Sequence, residues 1–242
     1  MIVQDGLRRM YAEQEDIFYY ITVMNEFYAM PAMPGEEDRG RSKSGKGRGN
    51  SGVRQGILRG LYRLQESDKP RSGKNKAGAR AHLLASGTIL LQALKAAEML
   101  EERFDVAADV WSATSWKELY MDGIDTERWN RLHPGEERRR CYLEECFDGE
   151  EGAAVAATDY LKALPLSVAH WMPLPFSALG TDGYGRSDTR RDQRAFFEVD
   201  ARHIVLAALD TLARDGSVGA GVVEKALEEL EIDPEAPNPV TA

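Results

Sequence analysis

The sequence predicts an α/β fold: a three-layer domain whose mostly parallel sheet carries helices on both faces. Three observations lead there. Short, largely apolar runs recur at residues 82–87 (HLLASG), 106–112 (VAADVWS), 153–158 (AAVAAT) and 175–181 (PFSALGT). Stretches with helical apolar spacing lie between and after them and can serve as crossovers. The runs are continuous rather than alternating, the pattern of parallel strands covered on both faces.

From the N-terminus, residues 1–34 read as a helix followed by a strand. In QDGLRRMYAEQED, Leu7, Met10 and Tyr11 repeat at helical spacing within a charged surround. IFYYITVM (17–24) is β-branched and aromatic, as in a strand buried on both faces. So small an α-β pair cannot cover its own strand, so it reads as the last edge of a domain whose remainder lies elsewhere. Pro31 and Pro34 then block continuation. Residues 35–52 hold only Gly, Ser, Asn and charged side chains and read as a flexible linker. VRQGILRGLYRLQE (53–66) predicts a helix through Val53, Ile57, Leu61 and Leu64 despite Gly56 and Gly60. Residues 67–80 form a second basic, structureless stretch.

Beyond residue 81, strand 82–87 leads into an amphipathic helix, TILLQALKAAEMLEERF (88–104). After 106–112, TSWKELYMDG predicts a short helix closed by Gly123, and residues 124–152 a polar crossing. YLKALPLSVAHWM predicts a helix shortened or kinked at Pro165. Strand 175–181 is followed by a glycine-rich loop, DGYGRSD, and a helix, TRRDQRAFFEVD. The helices ARHIVLAALDTLARDG and GVVEKALEELEI close the fold.

Composition narrows the class. With 43% hydrophobic and 29% charged residues over 242, the chain is globular rather than disordered or collagen-like. It has no apolar run of about 18 residues, so no membrane span is expected. The N-terminus has no signal-peptide core or cleavage site, so no export is expected. Cys141 and Cys146 make no disulfide framework, and C-x4-C is poor metal spacing, which points to a reduced cytoplasmic setting. The net charge of −9 divides unevenly: residues 39–80 hold 13 of the 31 Lys and Arg but only Glu66 and Asp68 as acids. The segment invites a nucleic-acid reading, yet its single aromatic, Tyr62, lies in the expected helix, so no stacking platform accompanies the charge. Solvated loops are the simpler expectation.

Candidate chemistry is sparse. A strand, the loop Gly180–Arg190 and a helix start could hold an anion, contact another domain or subunit, or form a tight turn capped by Ser187 or Asp188. Its G-x-x-G-x-G spacing is not the dinucleotide fingerprint. His82, His133, His170 and His203 are scattered, with no pair at metal-ligand spacing. His133, beside Trp129 and Pro134, is the one to examine first. No nucleophile elbow supports a Ser-His-Asp site, and the four tryptophans read as packing residues.

Several stretches taken together resemble one family. YYITVMNEFYAMPAMP, LLASGTIL, AADVWSATSWKEL, DGIDTERWNRLHP, VAATDYLKA, LGTDGYGRSDTR, FFEVDARHIVLAAL and IDPEAPNP occur in the order found in the C-terminal part of the bacterial homodimeric pyruvate dehydrogenase E1 component. The most specific pieces are Gly180–Arg190 and Glu127-Arg128-Trp129-Asn130 with Leu132-His133-Pro134. Departures are Phe27 for the usual Asn, Thr126 for Cys, Arg131 for Leu, Tyr184 for Phe, and the basic stretch 39–51.

The resemblance implies a thiamine diphosphate enzyme of the transketolase superfamily. Such an enzyme decarboxylates pyruvate and passes the acetyl unit to the lipoyl group of the E2 acetyltransferase. Residues 1–34 would be the end of the pyrimidine-binding domain. Residues 35–80 would be a basic linker or insertion with a helix at 53–66, and 81–242 a transketolase C-terminal-like domain. The implied partners are a second copy, the N-terminal E1 domains and E2.

Thiamine diphosphate and Mg need a Gly-Asp-Gly motif and a catalytic Glu with supporting histidines. The Asp-Gly pairs here, at Asp5, Asp122, Asp148, Asp182 and Asp215, are not preceded by Gly in such a triplet. The expectation is therefore no cofactor, metal or catalytic residue in this chain. Gly180, Asp182, Gly183, Gly185, Arg186, Ser187, Asp188 and His133 are the candidates for an interface loop. The competing expectation is a free-standing α/β module used for oligomerisation or partner binding.

Overall fold

A computed structural model describes residues 1–34, 50–69 and 78–242. The expected flexible linker and second basic stretch fall largely outside these residues. Among the described residues a five-stranded sheet has the order β1-β3-β2-β4-β5, with β1 (Leu61–Gln65), β2 (Arg80–Ala85), β3 (Ala107–Ala113), β4 (Ala153–Ala157) and β5 (Phe176–Leu179). β2, β3, β4 and β5 are mutually parallel, and β1 runs antiparallel to β3 at the edge. The mostly parallel α/β class is as the sequence indicates.

Strand side chains alternate between two cores. Ala81, Leu83, Ala85, Val110, Val155 and Ala157 face α3 (Leu90–Arg103), α8 (Ala201–Arg214) and α9 (Ala220–Glu229). Leu84, Trp111, Ala154 and Ala156 face the other way, toward α4 (Trp116–Leu132), α5 (Tyr142–Cys146) and the turn at Val168 and Met172. Both faces are covered, which is why the strands carry continuous apolar runs.

Four expectations need correction. The helix expected over 53–66 stops early: α2 covers Asn50–Arg59, and residues 61–65 are β1. Gly60 makes the break at φ +102°, and a Cβ there would lie 2.5 Å from the Ser115 carbonyl oxygen. The helical spacing of Leu61 and Leu64 is coincidental, and edge pairing to β3 decides their conformation.

The helix starting at Trp116 does not close at Gly123. It runs to Leu132, capped at its start by Ser115 and stopped at His133-Pro134. Gly123 is kept inside it because the Trp171 ring lies where its Cβ would be, 2.5 Å away. The expected polar crossing 124–152 therefore contains half of α4 and all of α5, with Glu144 bonding back to the Cys141 N–H at 2.8 Å.

Residues 17–24 form no strand among the described residues. α1 (Ile2–Leu7) continues as a π-helical turn at Arg8–Ala12, and the chain then runs irregularly with Phe18, Tyr20, Val23 and Phe27 exposed. No strand among the described residues offers them hydrogen bonds. The helix after the glycine-rich loop, α7 (Arg190–Phe196), is capped by Thr189 rather than by Ser187 or Asp188. At Pro165 the expected helix shrinks to α6 (Ala163–Leu166) and a 3₁₀ turn at Ala169–Trp171.

Candidate functional site at the carboxyl ends of the strands

In this strand order the chain leaves β2 for β3 on one side and reaches β4 on the other, so a topological switch point lies between β2 and β4. Open α/β sheets bind ligands outside the strand carboxyl ends at such a point. Here the Ser86 and Thr158 hydroxyls, just beyond β2 and β4, share a 2.8 Å hydrogen bond. Above them lies a cavity of about 280 Å³.

The Gly180–Arg190 loop forms one wall. Thr181 donates its N–H to the Tyr160 carbonyl (2.9 Å) and its hydroxyl to the Asp159 carbonyl (2.8 Å), fixing the β5 exit to the β4 exit. Asp182 accepts the Lys162 N–H at 3.3 Å and its ammonium at 3.5 Å. Gly183, at φ +109°, presses against the Pro239 carbonyl of the C-terminal tail. Gly180 packs against the Tyr160–Lys162 backbone, while Gly185, Ser187 and Asp188 are exposed or near the surface. Gly183, Gly185 and Arg186 line the cavity.

Arginines dominate the polar lining. Arg194 donates to the Thr88 hydroxyl at 3.1 Å, and the Arg186 guanidinium lies 4.1 Å over the Phe196 ring. Arg190 bonds Glu26 at 2.8 Å and Asn25 at 3.0 Å, tying residues 25–26 to the loop, and the Tyr160 hydroxyl donates to Thr22 at 2.7 Å. Asp159 also lines the cavity, and burial raises its carboxyl above the ordinary range. Thr88, Asp159 and Arg194 lack a sequence signal. Only the sheet order brings them to the loop.

His133 lies elsewhere. It caps α4, donates its Nδ1–H to the Trp129 carbonyl (2.8 Å) and stacks on the Trp129 ring at 4.4 Å, with Arg139 also stacked at 3.5 Å. It joins neither the loop nor the cavity.

Sequence spacing also missed a buried polar cluster at the opposite, amino end of the strands. The register places His82 beside Asp109, and residue 150 precedes β4. His82, Asp109 and Glu150 offer ligand atoms within 4.8 Å of one another. Arg80 donates to Asp109 Oδ1 at 2.6 Å, and the Ser67 N–H adds a bond of 2.8 Å. Asp109 Oδ2 is buried without a hydrogen-bond partner, 3.4 Å from His82 Nδ1.

Trp111 donates its indole N–H to His82 Nδ1 at 3.4 Å, and His82 Nε2 donates to the Glu151 carbonyl at 3.1 Å. That pairing suits a neutral imidazole, and burial lowers the His82 pKa accordingly. Arg63, bonded to Glu150, and Arg80 already balance the two carboxylates. A divalent cation would add charge beside two guanidiniums, so the donor set does not fit a metal despite its spacing.

Four of the five Asp-Gly carboxylates fit a metal-diphosphate no better. Asp5 pairs with Arg8, Asp122 with Arg59 and the Tyr142 N–H, Asp148 with Arg140, and Asp182 with Lys162.

Residues 60–200 match the family model of the transketolase-like TK C-terminal domain, and residues 1–31 match that of the pyruvate dehydrogenase E1 component middle domain. The chain is 44% identical over 241 residues to a pyruvate dehydrogenase E1 component from Pseudomonas aeruginosa, covering 99% of this chain and 25% of that protein. It is 41% identical to the one from Escherichia coli strain K12, covering 99% of this chain and 24% of that protein. Among solved structures, a transketolase from Pichia stipitis is 13% identical over 67% of this chain and 19% of its own, with TM-score 0.44. The chain thus spans about a quarter of the length of the curated relatives it matches. No helix among the described residues is long and apolar enough to cross a membrane. The chain belongs to the transketolase C-terminal domain family and corresponds to a portion of a pyruvate dehydrogenase E1 component.

Proposed function

We propose that the chain serves as the C-terminal portion of a pyruvate dehydrogenase E1, supplying a structural platform rather than reacting groups. The carrying observation is the Arg190 clasp. One guanidinium at the cavity wall holds Glu26 and Asn25, joining the segment that matches the middle-domain model to the domain that matches the C-terminal model. Residues 1–34 then belong to the pyrimidine-binding domain, and the sheet domain packs beside it.

In the assembled homodimer the remaining E1 domains would hold thiamine diphosphate with Mg, decarboxylate pyruvate and acetylate the E2 lipoyl group. This chain's loops would set domain and subunit positions in a cytoplasmic complex. Four of the five Asp-Gly aspartates are already paired with Arg or Lys, and Asp215 accepts from the Ser217 hydroxyl, which is the reason for assigning the cofactor elsewhere.

Calorimetric titration and a complementation assay test the reading. The chain alone is expected to bind no thiamine diphosphate with Mg and to release no carbon dioxide from pyruvate. Co-expression with a polypeptide carrying the other E1 domains is expected to give pyruvate-dependent activity. Micromolar cofactor binding by the chain alone, or no association with those domains, would overturn it.

A further inference from the structure

The cavity above the β2–β4 switch point has a lining that platform duty does not explain. Its polar lining is unbalanced. Arg186 and Arg194 make no ion pair within 4 Å among the described residues, while Arg190 is held by Glu26. The hydroxyl-bearing Thr88 and Thr181 line the same space. Among the described residues Asp159 is the one acid lining it, against three arginines. Ile89, Phe197, Val199 and Met24 supply an apolar surface alongside. Planar guanidinium forks are matched to phosphoryl oxygens, and ligand cavities pair an apolar lining with a few convergent polar groups.

We propose that this cavity binds a small organic phosphate, with Arg186 and Arg194 on the phosphoryl oxygens and the apolar wall on its carbon skeleton. The Thr88 and Thr181 hydroxyls complete the donor set. Glu26 adds a carboxylate on Arg190, which lines the cavity, and Met24 of the same segment lines it too. Occupancy is therefore coupled to how residues 24–26 sit on the domain. The site stands on the 242-residue chain's own residues, so it can hold or fail whether or not the chain works within an E1.

Phenyl phosphate, inorganic phosphate and benzoate, each titrated into the full chain and followed by NMR and calorimetry, decide it. Phenyl phosphate is expected to bind saturably and more tightly than either inorganic phosphate, which lacks the apolar part, or benzoate, which lacks the phosphoryl oxygens. Arg186→Ala and Arg194→Ala should each weaken phenyl phosphate by roughly tenfold or more, since a charge-assisted hydrogen bond is worth about one tenfold step. Glu26→Gln should tighten it by removing that carboxylate. Arg186 is exposed, so its variant keeps the fold and carries the test even if Arg194→Ala disturbs the Thr88 contact. Absence of saturable phenyl phosphate binding, equal affinity for benzoate, or unchanged affinity in Arg186→Ala would overturn the assignment.

Discussion

Replacing Arg80 with Met would test the buried cluster at the amino end of the sheet. Arg80 is 6% exposed and Asp109 fully buried, so Met fills much of the arginine stem while removing the charge. Asp109 would keep the Ser67 N–H as its remaining donor, and the Arg80 bond to the Lys69 carbonyl would also go. Breaking one side of a buried pair costs about 3–5 kcal/mol, because a charge is left without compensation. For a domain of this size each kcal/mol shifts Tm by about 2–4 °C. Arg80→Met should therefore melt roughly 6–20 °C below the parent, read by thermal circular dichroism. The double variant Arg80→Met/Asp109→Leu should recover much of that loss, since no orphan charge remains. A single variant within about 1 kcal/mol of the parent would refute the reasoning. So would a double variant that loses the sum of both singles.

Three further outcomes follow from the same structure. Burial lowers the His82 pKa, with Asp109, Glu150 and Arg63 the charges facing it, so the unfolded state binds more protons below pH about 6.5. Urea midpoints should therefore fall as pH drops from 6.5 toward 5, and His82→Gln should flatten that slope; a midpoint rising on acidification would contradict it. Gly60→Val should cost at least about 1–3 kcal/mol, because φ +102° and the Ser115 carbonyl both exclude a side chain; an unchanged urea midpoint would count against this. Burial pushes the Cys141 thiol up to about 12, so the folded chain should leave it unlabelled by a thiol reagent at pH 8 and expose it in urea. Modification of Cys141 in the native state would contradict its burial.

The sequence made β2, β3, β4 and β5 legible because a strand covered on both faces must be apolar along its length. It was misleading where a distant contact decides the outcome. Gly60 ends α2 because Ser115 stands behind it, and Gly123 persists in α4 because Trp171 does. Neither neighbour is visible in a local window. Phe18 to Val23 carry strong strand preference without a strand beside them among the described residues, so propensity alone did not make a ladder. The glycine-rich loop was legible by composition, but not its companions across the cavity. Thr88, Asp159 and Arg194 are ordinary residues until the order β2-β4-β5 sets their loops side by side. The His82–Asp109–Glu150 group was hidden for the same reason, since its members meet only through strand register.

The largely exposed stretch Ile17–Val23 bears on how the chain behaves in a tube. IFYYITV contains no charge and no proline, and Phe18, Tyr20 and Val23 are each more than four-fifths exposed. Windows of this kind template intermolecular β-pairing when nothing lies over them. Concentrated solutions of the chain should therefore gain thioflavin-positive aggregates over time, and a single Tyr20→Lys gatekeeper should suppress them without lowering Tm. Seven residues outside the sheet domain would then govern colloidal behaviour.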